Sequence, residues 1–119
     1  MFIRAESTDT RTNEYGGTFR RLYPWAGVAT PPWGGAFMNV APGDNSVAHN
    51  HDEEETFIFI AGNGTISVDG EVRPVTKGDV VYLPRFSTHF VTNTAGEGDL
   101  EFLCMWWGAP AETDAPSDR

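Results

Sequence analysis

The sequence predicts an all-β fold, built as a sandwich or a barrel of short strands. From residue 36 onward, short runs of β-branched and aromatic residues alternate with turn-forming residues, which is the pattern of successive strands. No stretch of the chain repeats its apolar residues with the period of an α-helix. The eight prolines and thirteen glycines further disfavour long helices. Many short strands of this kind are typical of β-sandwiches and β-barrels.

Seven strands can be assigned from these runs, in the order in which the chain presents them. They cover residues 36–40, 55–60, 64–68, 71–75, 79–83, 89–93 and 101–107. Asp69-Gly70 separates the third strand from the fourth and predicts a two-residue hairpin turn, because both residue types tolerate a positive φ. Glycine-containing turns separate other neighbours, at 62–64, 76–79 and 95–98.

The chain length of 119 residues is that of one domain. Residues 36–107 are expected to form the barrel core, and residues 1–35 a strand and loop region that packs on it. Within that region we expect a first edge strand ahead of the polar segment 7–15. Residues 108–119 are rich in Pro, Ala and Asp and are expected to form a flexible tail.

The charge of the chain argues against several classes of partner. Eight basic and seventeen acidic side chains give a formal net charge of −9 and a pI near 4.5. Such a chain is a poor ligand for nucleic acid or for an anionic membrane surface, although it can attract metal cations. No apolar run reaches the ~20 residues of a membrane span, and the N-terminus lacks the apolar core of a signal peptide. The single cysteine, Cys104, suits a reducing compartment, so we expect a cytoplasmic protein.

The residues that could carry chemistry are the three histidines of the chain. His49 and His51 are two residues apart, so on an extended strand both side chains project to one face, roughly 6–7 Å apart. Glu55 shares their parity, and His89 would have to reach them from a neighbouring strand. Three imidazoles and one carboxylate suit a first-row divalent metal such as Fe, Mn, Co, Ni, Cu or Zn. Open positions on such a metal would allow chemistry as well as structural support.

Two motifs make the chain resemble the cupins, a superfamily of small jelly-roll barrels. The first cupin motif, G-x5-H-x-H-x3-E-x6-G, is matched by Gly43, His49, His51, Glu55 and Gly62. The resemblance implies a single-domain cupin jelly roll, a double-stranded β-helix barrel. It also implies that the three histidines and this glutamate hold one divalent metal, whose identity among Fe, Zn, Mn, Ni and Co stays open.

The second cupin motif, G-x5-P-x-G-x2-H-x3-N, is matched with one departure. Gly78, Pro84, His89 and Asn93 fill their positions, and Phe86 stands where the family has glycine. This phenylalanine lies in the turn before His89, so it can alter the mouth of the barrel without removing a ligand.

Four further side chains are candidates for lining a pocket beside the metal, namely Phe57, Phe59, Tyr82 and Trp106. The two phenylalanines share the strand parity of Glu55 and would line the barrel interior, as core or as pocket wall. The tyrosine would either face inward or lie half-buried on its strand. Of the adjacent Trp106 and Trp107, one would face the interior, because neighbours on a strand point to opposite faces. Cys104 is expected to be a buried, inert thiol.

Charged residues near the motifs each have a functional and an ordinary interpretation. Arg20, Arg21 and Arg85 could grip a substrate carboxylate in bidentate fashion. A solvated surface role is the ordinary interpretation for all three. In the acidic run 52–55, Glu55 is the implied ligand and the other residues are expected to form a solvated turn.

The filled ligand set favours an enzyme that acts on a small polar metabolite. Fe(II) would support oxygenase chemistry, and Zn, Mn or Ni would act as a Lewis acid. Segments 31–34 and 78–87 are also similar to the cupin unit of hydrazine-forming synthetases, which implies zinc-dependent N–N bond formation from an ester that a partner protein supplies. The alternative is a non-catalytic cupin that binds a small molecule through its metal. A homodimer is expected, paired through the N-terminal strand that begins Met1-Phe2-Ile3.

Overall fold

The computed structural model describes residues 1–108 and shows nine antiparallel strands in two sheets. The strands are β1 (Thr12–Glu14), β2 (Gly17–Arg21), β3 (Trp33–Val40), β4 (Glu54–Ala61), β5 (Asn63–Val68), β6 (Glu71–Thr76), β7 (Val80–Leu83), β8 (His89–Asn93) and β9 (Leu100–Trp107). All seven predicted strands are present, with small shifts of their ends. The described residues form no α-helix, so the all-β prediction is confirmed, and no helix among them could cross a membrane.

Strand β9, the last in the chain, is a central strand of the larger sheet. The six-stranded sheet has the order β1-β2-β3-β9-β4-β7, and the three-stranded sheet has the order β6-β5-β8. β9 lies between β3 and β4 and pairs with both over nearly its whole length. Because β3 and β4 are far from β9 in sequence, these pairings join the two ends of the domain around one core.

The core lies between the two sheets and consists of apolar side chains that alternate along the strands. Phe57 and Phe59 of β4 are 3% and 1% exposed, and both rings pack on Phe102 of β9, with centroids 4.8 and 5.2 Å away. Burial of each such ring stabilises the fold by roughly 1.5–3 kcal/mol. Cys104 lies fully buried in the same core and is not part of a disulfide.

The N-terminal region differs from the expectation. Residues 1–11 form no strand, and β1 lies inside segment 7–15, which was expected to be a linker. Asp9 binds both Arg4 and Arg20, at 3.2 Å in each case, and these ion pairs hold the first residues against the barrel as a turn. The expected edge strand at the N-terminus is therefore wrong, because arginine contacts rather than strand pairing fix this segment. Of the expected tail 108–119, residues 109–119 lie outside the described part of the chain.

Candidate metal centre

The three histidines meet at one end of the barrel. His49 and His89 pair in an isolated β-bridge, and their ring centroids are 4.7 Å apart. The ring of His51 lies 5.5 Å from that of His49 and 5.6 Å from that of His89. One ring nitrogen of each histidine lies within 4.8 Å of the others. Three imidazoles at this separation could hold a single metal ion.

Backbone carbonyls select the tautomer of two of these rings. Nδ1 of His49 lies 2.9 Å from the carbonyl oxygen of Val47, and Nδ1 of His89 lies 3.1 Å from that of Ser87. A carbonyl oxygen only accepts hydrogen bonds, so Nδ1 must carry the proton on both rings. Nε2 then keeps the lone pair of the neutral imidazole, which is the atom that binds a metal when Nδ1 is so engaged.

Glu55 approaches the same centre from β4. Its side chain is 0% exposed, and Oε1 lies 3.2 Å from Nε2 of His51 and 3.2 Å from Nε2 of His89. A carboxylate oxygen facing the lone pair of Nε2 in His89 is repulsive unless a cation, either a proton or a metal ion, lies between them. Three imidazoles and one carboxylate are a donor set that fits a first-row divalent metal.

Glu53 is a buried carboxylate, so the expectation that it lies in a solvated turn is wrong. The residue is 3% exposed, and Oε1 lies 3.7 Å from Nδ1 of His51, on the far side of the ring from Glu55. A carboxylate beside the second nitrogen of a metal-binding histidine is a common arrangement that orients the ring. The sequence does carry a signal for this burial, because Glu53 is two residues from both His51 and Glu55 and so shares their face on an extended strand.

Tyr82 does not face the barrel interior, which corrects one of its two expected placements. It is 54% exposed, and its hydroxyl donates a 2.7 Å hydrogen bond to Oε1 of Glu54. The hydrogen bond to this carboxylate raises the pKa of the Tyr82 phenol. Tyr82 lies opposite Thr56 in the β4–β7 ladder, and this register turns it to the outer face of the sheet. It therefore contributes nothing to the metal centre.

Trp106 lies on the inner face of β9, beside the candidate ligands. It is the cross-strand neighbour of Glu55, and it packs against the core while remaining partly exposed. Its indole covers Gly34, where an added Cβ would lie 2.2 Å from the ring. Glycine at position 34 is therefore required by the position of this ring. Trp107 pairs with Trp33 and with Glu54 on the opposite, outer face.

Tyr15 is a second residue beside the site that the sequence did not reveal. Its ring stacks on His49, with centroids 5.3 Å apart and an interplanar angle of 26°. Arg21 binds the carboxylate of Glu14, the residue before Tyr15. The hydrogen bond with Glu14 raises the pKa of Arg21 and, reciprocally, lowers the pKa of Glu14. Arg21 is thus paired with the residue that precedes Tyr15 in the chain.

The other two candidate arginines have structural contacts. Arg20 lies on the outer face of β2, with its guanidinium carbon 4.5 Å from the centre of the Phe37 ring, and it binds Asp9. Arg85 is exposed and binds the carboxylate of Asp52 and the carbonyl oxygen of Gly108. Neither guanidinium is directed at the histidines by these contacts.

Comparisons with known proteins agree with this architecture. A family model described as a cupin domain matches residues 36–106. A solved structure of a Photorhabdus luminescens protein is 42% identical with a TM-score of 0.82, and the match covers 90% of this chain and 88% of that one. A protein of Salinispora arenicola, described as a cupin 2 conserved barrel domain protein, is 37% identical with a TM-score of 0.82 over 92% of this chain and 90% of that one.

An oxalate-binding protein of Thermotoga maritima is among the curated relatives and is 34% identical over 71 residues. The match covers 59% of this chain and 58% of that protein, so the chain spans just over half the length of this relative.

Proposed function

This chain belongs to the Cupin_2 family of cupin barrels, and from that premise we propose that it is a metal-dependent enzyme that acts on a small polar metabolite. The proposed mononuclear centre consists of His49, His51, Glu55 and His89. The observation that carries the proposal is the buried Oε1 of Glu55, 3.2 Å from Nε2 of two histidines. A bound metal would supply oxygenase chemistry if it is Fe(II), or Lewis-acid chemistry if it is Zn, Mn or Ni.

The side chains around the centre have separable roles in this proposal. Glu55 offsets part of the charge of a divalent ion, and its burial strengthens that interaction. Phe57 lies 5.7 Å from the ring of His89 and, with the core rings behind it, keeps water away from the inner side of the centre. Tyr15 stacks on His49 and Trp106 is the cross-strand neighbour of Glu55, so both would lie beside a bound substrate. The filled core restricts that substrate to a small molecule.

Two versions of the Lewis-acid chemistry deserve testing. One is the N–N bond formation implied by the resemblance to the cupin unit of hydrazine-forming synthetases, which would need an activated ester from a partner protein. The other is chemistry on a small carboxylate, the ligand class suggested by the name of the Thermotoga maritima oxalate-binding relative. The buried thiol of Cys104, which is not part of a disulfide, supports a reducing, cytoplasmic location for either version.

A non-catalytic metal-dependent binding protein is the second candidate function. The relative named for binding oxalate, rather than for converting it, favours this candidate. The two candidates differ in turnover, since a binding protein would retain a carboxylate ligand unchanged while an enzyme would convert it. Product analysis after incubation with the metal-loaded protein separates them.

The metal assignment is tested by elemental analysis of untagged protein purified anaerobically without added metal. We expect near-stoichiometric metal in the wild type and in Cys104→Ala, and little metal in His89→Ala. Both substitutions truncate a buried side chain, since Cys104 is 0% exposed and His89 is 2% exposed. Comparison of the two variants therefore separates the loss of a metal ligand from the loss of core packing.

Each metal result has a distinct meaning. Iron would direct the next assay to oxygen uptake, and zinc to Lewis-acid chemistry. Mixed metals well below one equivalent would favour the binding protein. Unchanged metal in His89→Ala, with circular dichroism showing a folded protein, would remove this histidine from the site.

A further inference from the structure

His49 is the most exposed of the three candidate histidine ligands. It is partly buried, whereas His51 and His89 are 7% and 2% exposed. It also lies outside the nine strands of the described chain, in an isolated bridge to His89. An imidazole binds a metal ion well only when contacts around it hold the ring in one orientation. His49 therefore depends more than the other two on neighbours from elsewhere in the fold.

The ring of Tyr15 supplies such a contact. It stacks on His49 with the ring centroids 5.3 Å apart and an angle of 26° between the planes. The same tyrosine ring meets the ring of Phe19 edge-on, with centroids 5.4 Å apart. Phe19 is 1% exposed and belongs to the core. The tyrosine ring thus lies between the rigid core and the imidazole, where it restricts rotation of His49.

Tyr15 has an unusual backbone conformation for an aromatic residue. The pairing of Glu14 with Gly17 leaves Tyr15 and Gly16 as the two-residue turn of the β1–β2 hairpin. Their φ angles are 56° and 84°, and turns with two positive φ angles favour Asn-Gly. A bulky residue is strained in this region, and strain of this kind is often retained where a side chain has a function.

The same turn also contacts the segment that carries His49. The backbone N–H of Val47 donates a 2.8 Å hydrogen bond to the carbonyl oxygen of Tyr15. The carbonyl oxygen of Val47 in turn lies 2.9 Å from Nδ1 of His49. An added Cβ at Gly16 would lie 2.6 Å from the carbonyl oxygen of Asn45, so the turn and this segment are in close contact.

We propose that Tyr15 is a positioning residue of the metal centre, and that the β1–β2 hairpin brings it there. Its ring holds the imidazole of His49 in the orientation that presents Nε2 to the metal. An imidazole bound to a divalent ion shares part of the positive charge, which the face of a phenol ring attracts. The hairpin precedes residues 36–106, the part of the chain that matches the cupin family model. This inference rests on the proposed metal function and extends its site beyond the matched domain.

The test is the metal affinity of three variants, measured by competition with a chromophoric chelator. We expect Tyr15→Asn to bind the metal about three- to tenfold more weakly than the wild type, because the aromatic stacking is lost. Asparagine suits this turn, so the hairpin is kept. Tyr15→Phe keeps the ring and should retain the wild-type affinity. Phe37→Leu, the matched control, removes another partly buried ring on the outer face and should also bind as the wild type does.

Proton NMR of the metal-free proteins gives a second measurement, which needs no metal. The ring current of an aromatic residue at position 15 should displace the ring-proton resonances of His49 in the wild type and in Tyr15→Phe, and this displacement should be absent in Tyr15→Asn.

The outcomes separate this inference from the proposed function. Equal metal affinity in the wild type and Tyr15→Asn overturns the role of Tyr15 and leaves the proposed function standing. A loss in Tyr15→Phe as large as that in Tyr15→Asn overturns the stacking, because the hydroxyl would then be responsible. An equal loss in Phe37→Leu overturns it as well, since any lost ring would have the same effect. A wild type that takes up no metal overturns the proposed function and this inference together.

Discussion

Glu53 lies beside Nδ1 of His51, the ring nitrogen that faces away from Glu55. The two side chains are 4% and 2% exposed, and Nδ1 of the histidine lies 3.7 Å from Oε1 of the glutamate. If a metal ion takes Nε2, the proton of the neutral ring is on Nδ1, on the side of Glu53, so this carboxylate would favour the metal-binding tautomer. We expect Glu53 to be a positioning residue that acts on the metal through the histidine.

Glu53→Gln tests this role. The amide keeps the size of the side chain but removes its charge, and we expect metal affinity to fall about tenfold to a hundredfold. Glu54→Gln is the matched control, because Glu54 binds the exposed Tyr82 on the outer face. Competition with a chromophoric chelator gives both affinities, and nitrogen NMR of His51 reports its tautomer. Equal affinity in the two variants, with the same tautomer, would show that Glu53 is only a buried neighbour.

At the scale of elements, the turn between β7 and β8 connects two candidate ligands. The backbone N–H of Phe86 donates a 3.0 Å hydrogen bond to the carbonyl oxygen of His51, and β8 begins with His89 shortly afterwards. Phe86 has a φ of 65°, the left-handed region that its glycine counterpart in the cupin motif adopts without strain. The departure from the motif thus keeps the backbone of the turn and adds an exposed ring beside it.

Two substitutions at this position isolate the backbone effect. Phe86→Gly and Phe86→Val both remove a ring that is 65% exposed, so their difference reflects mainly the positive φ. We expect the valine variant to be less stable than the glycine variant by about 1–2 kcal/mol, because a β-branched residue is strained there. Urea unfolding of the metal-free proteins measures the difference. If the valine variant were as stable as the glycine variant or more stable, residue 86 would not have the positive φ of this turn.

Elements defined by local patterns could be predicted, and those defined by distant contacts could not. The seven strands and their turns follow from runs of apolar residues between glycines, so they appear where expected. β1 is polar, and the contacts that accompany its pairing with β2 include the ion pair between Glu14 and Arg21. The burial of Glu53 and the exposure of Tyr82 depend on how β4 and its neighbours pack and on the β4–β7 register, which no local pattern specifies.

At the scale of the whole molecule, the six-stranded sheet carries an apolar row on its outer face as well as the core on its inner face. Cross-strand register forms this row from Phe37, Leu103, Ile58 and Val80, and Arg20 lies over the Phe37 ring at one end of it. An antiparallel sheet with one face in water normally alternates apolar and polar residues. Residues 57–60 of β4 and 102–107 of β9 are instead apolar at every position, which is the pattern of strands that are covered on both sides.

We propose that a second copy of the chain covers this face and forms the expected homodimer. Two molecules of net charge −9 repel, and a neutral apolar row lets them meet without burying a carboxylate. The proposed contact replaces the expected exchange of N-terminal strands, since residues 1–11 form no strand in the described chain.

Light scattering of the wild type should give about twice the chain mass of 13.1 kDa. Leu103→Lys places a charge in the middle of the row and should give the monomer mass, because an unpaired charge at a dry contact is costly. Val72→Lys, on the exposed strand β6 of the other sheet, should remain dimeric. Added salt should strengthen the wild-type dimer by screening the repulsion between the acidic copies. A wild-type mass of 13.1 kDa at every protein and salt concentration would rule the dimer out, and a dimeric Leu103→Lys would place its contact on another surface.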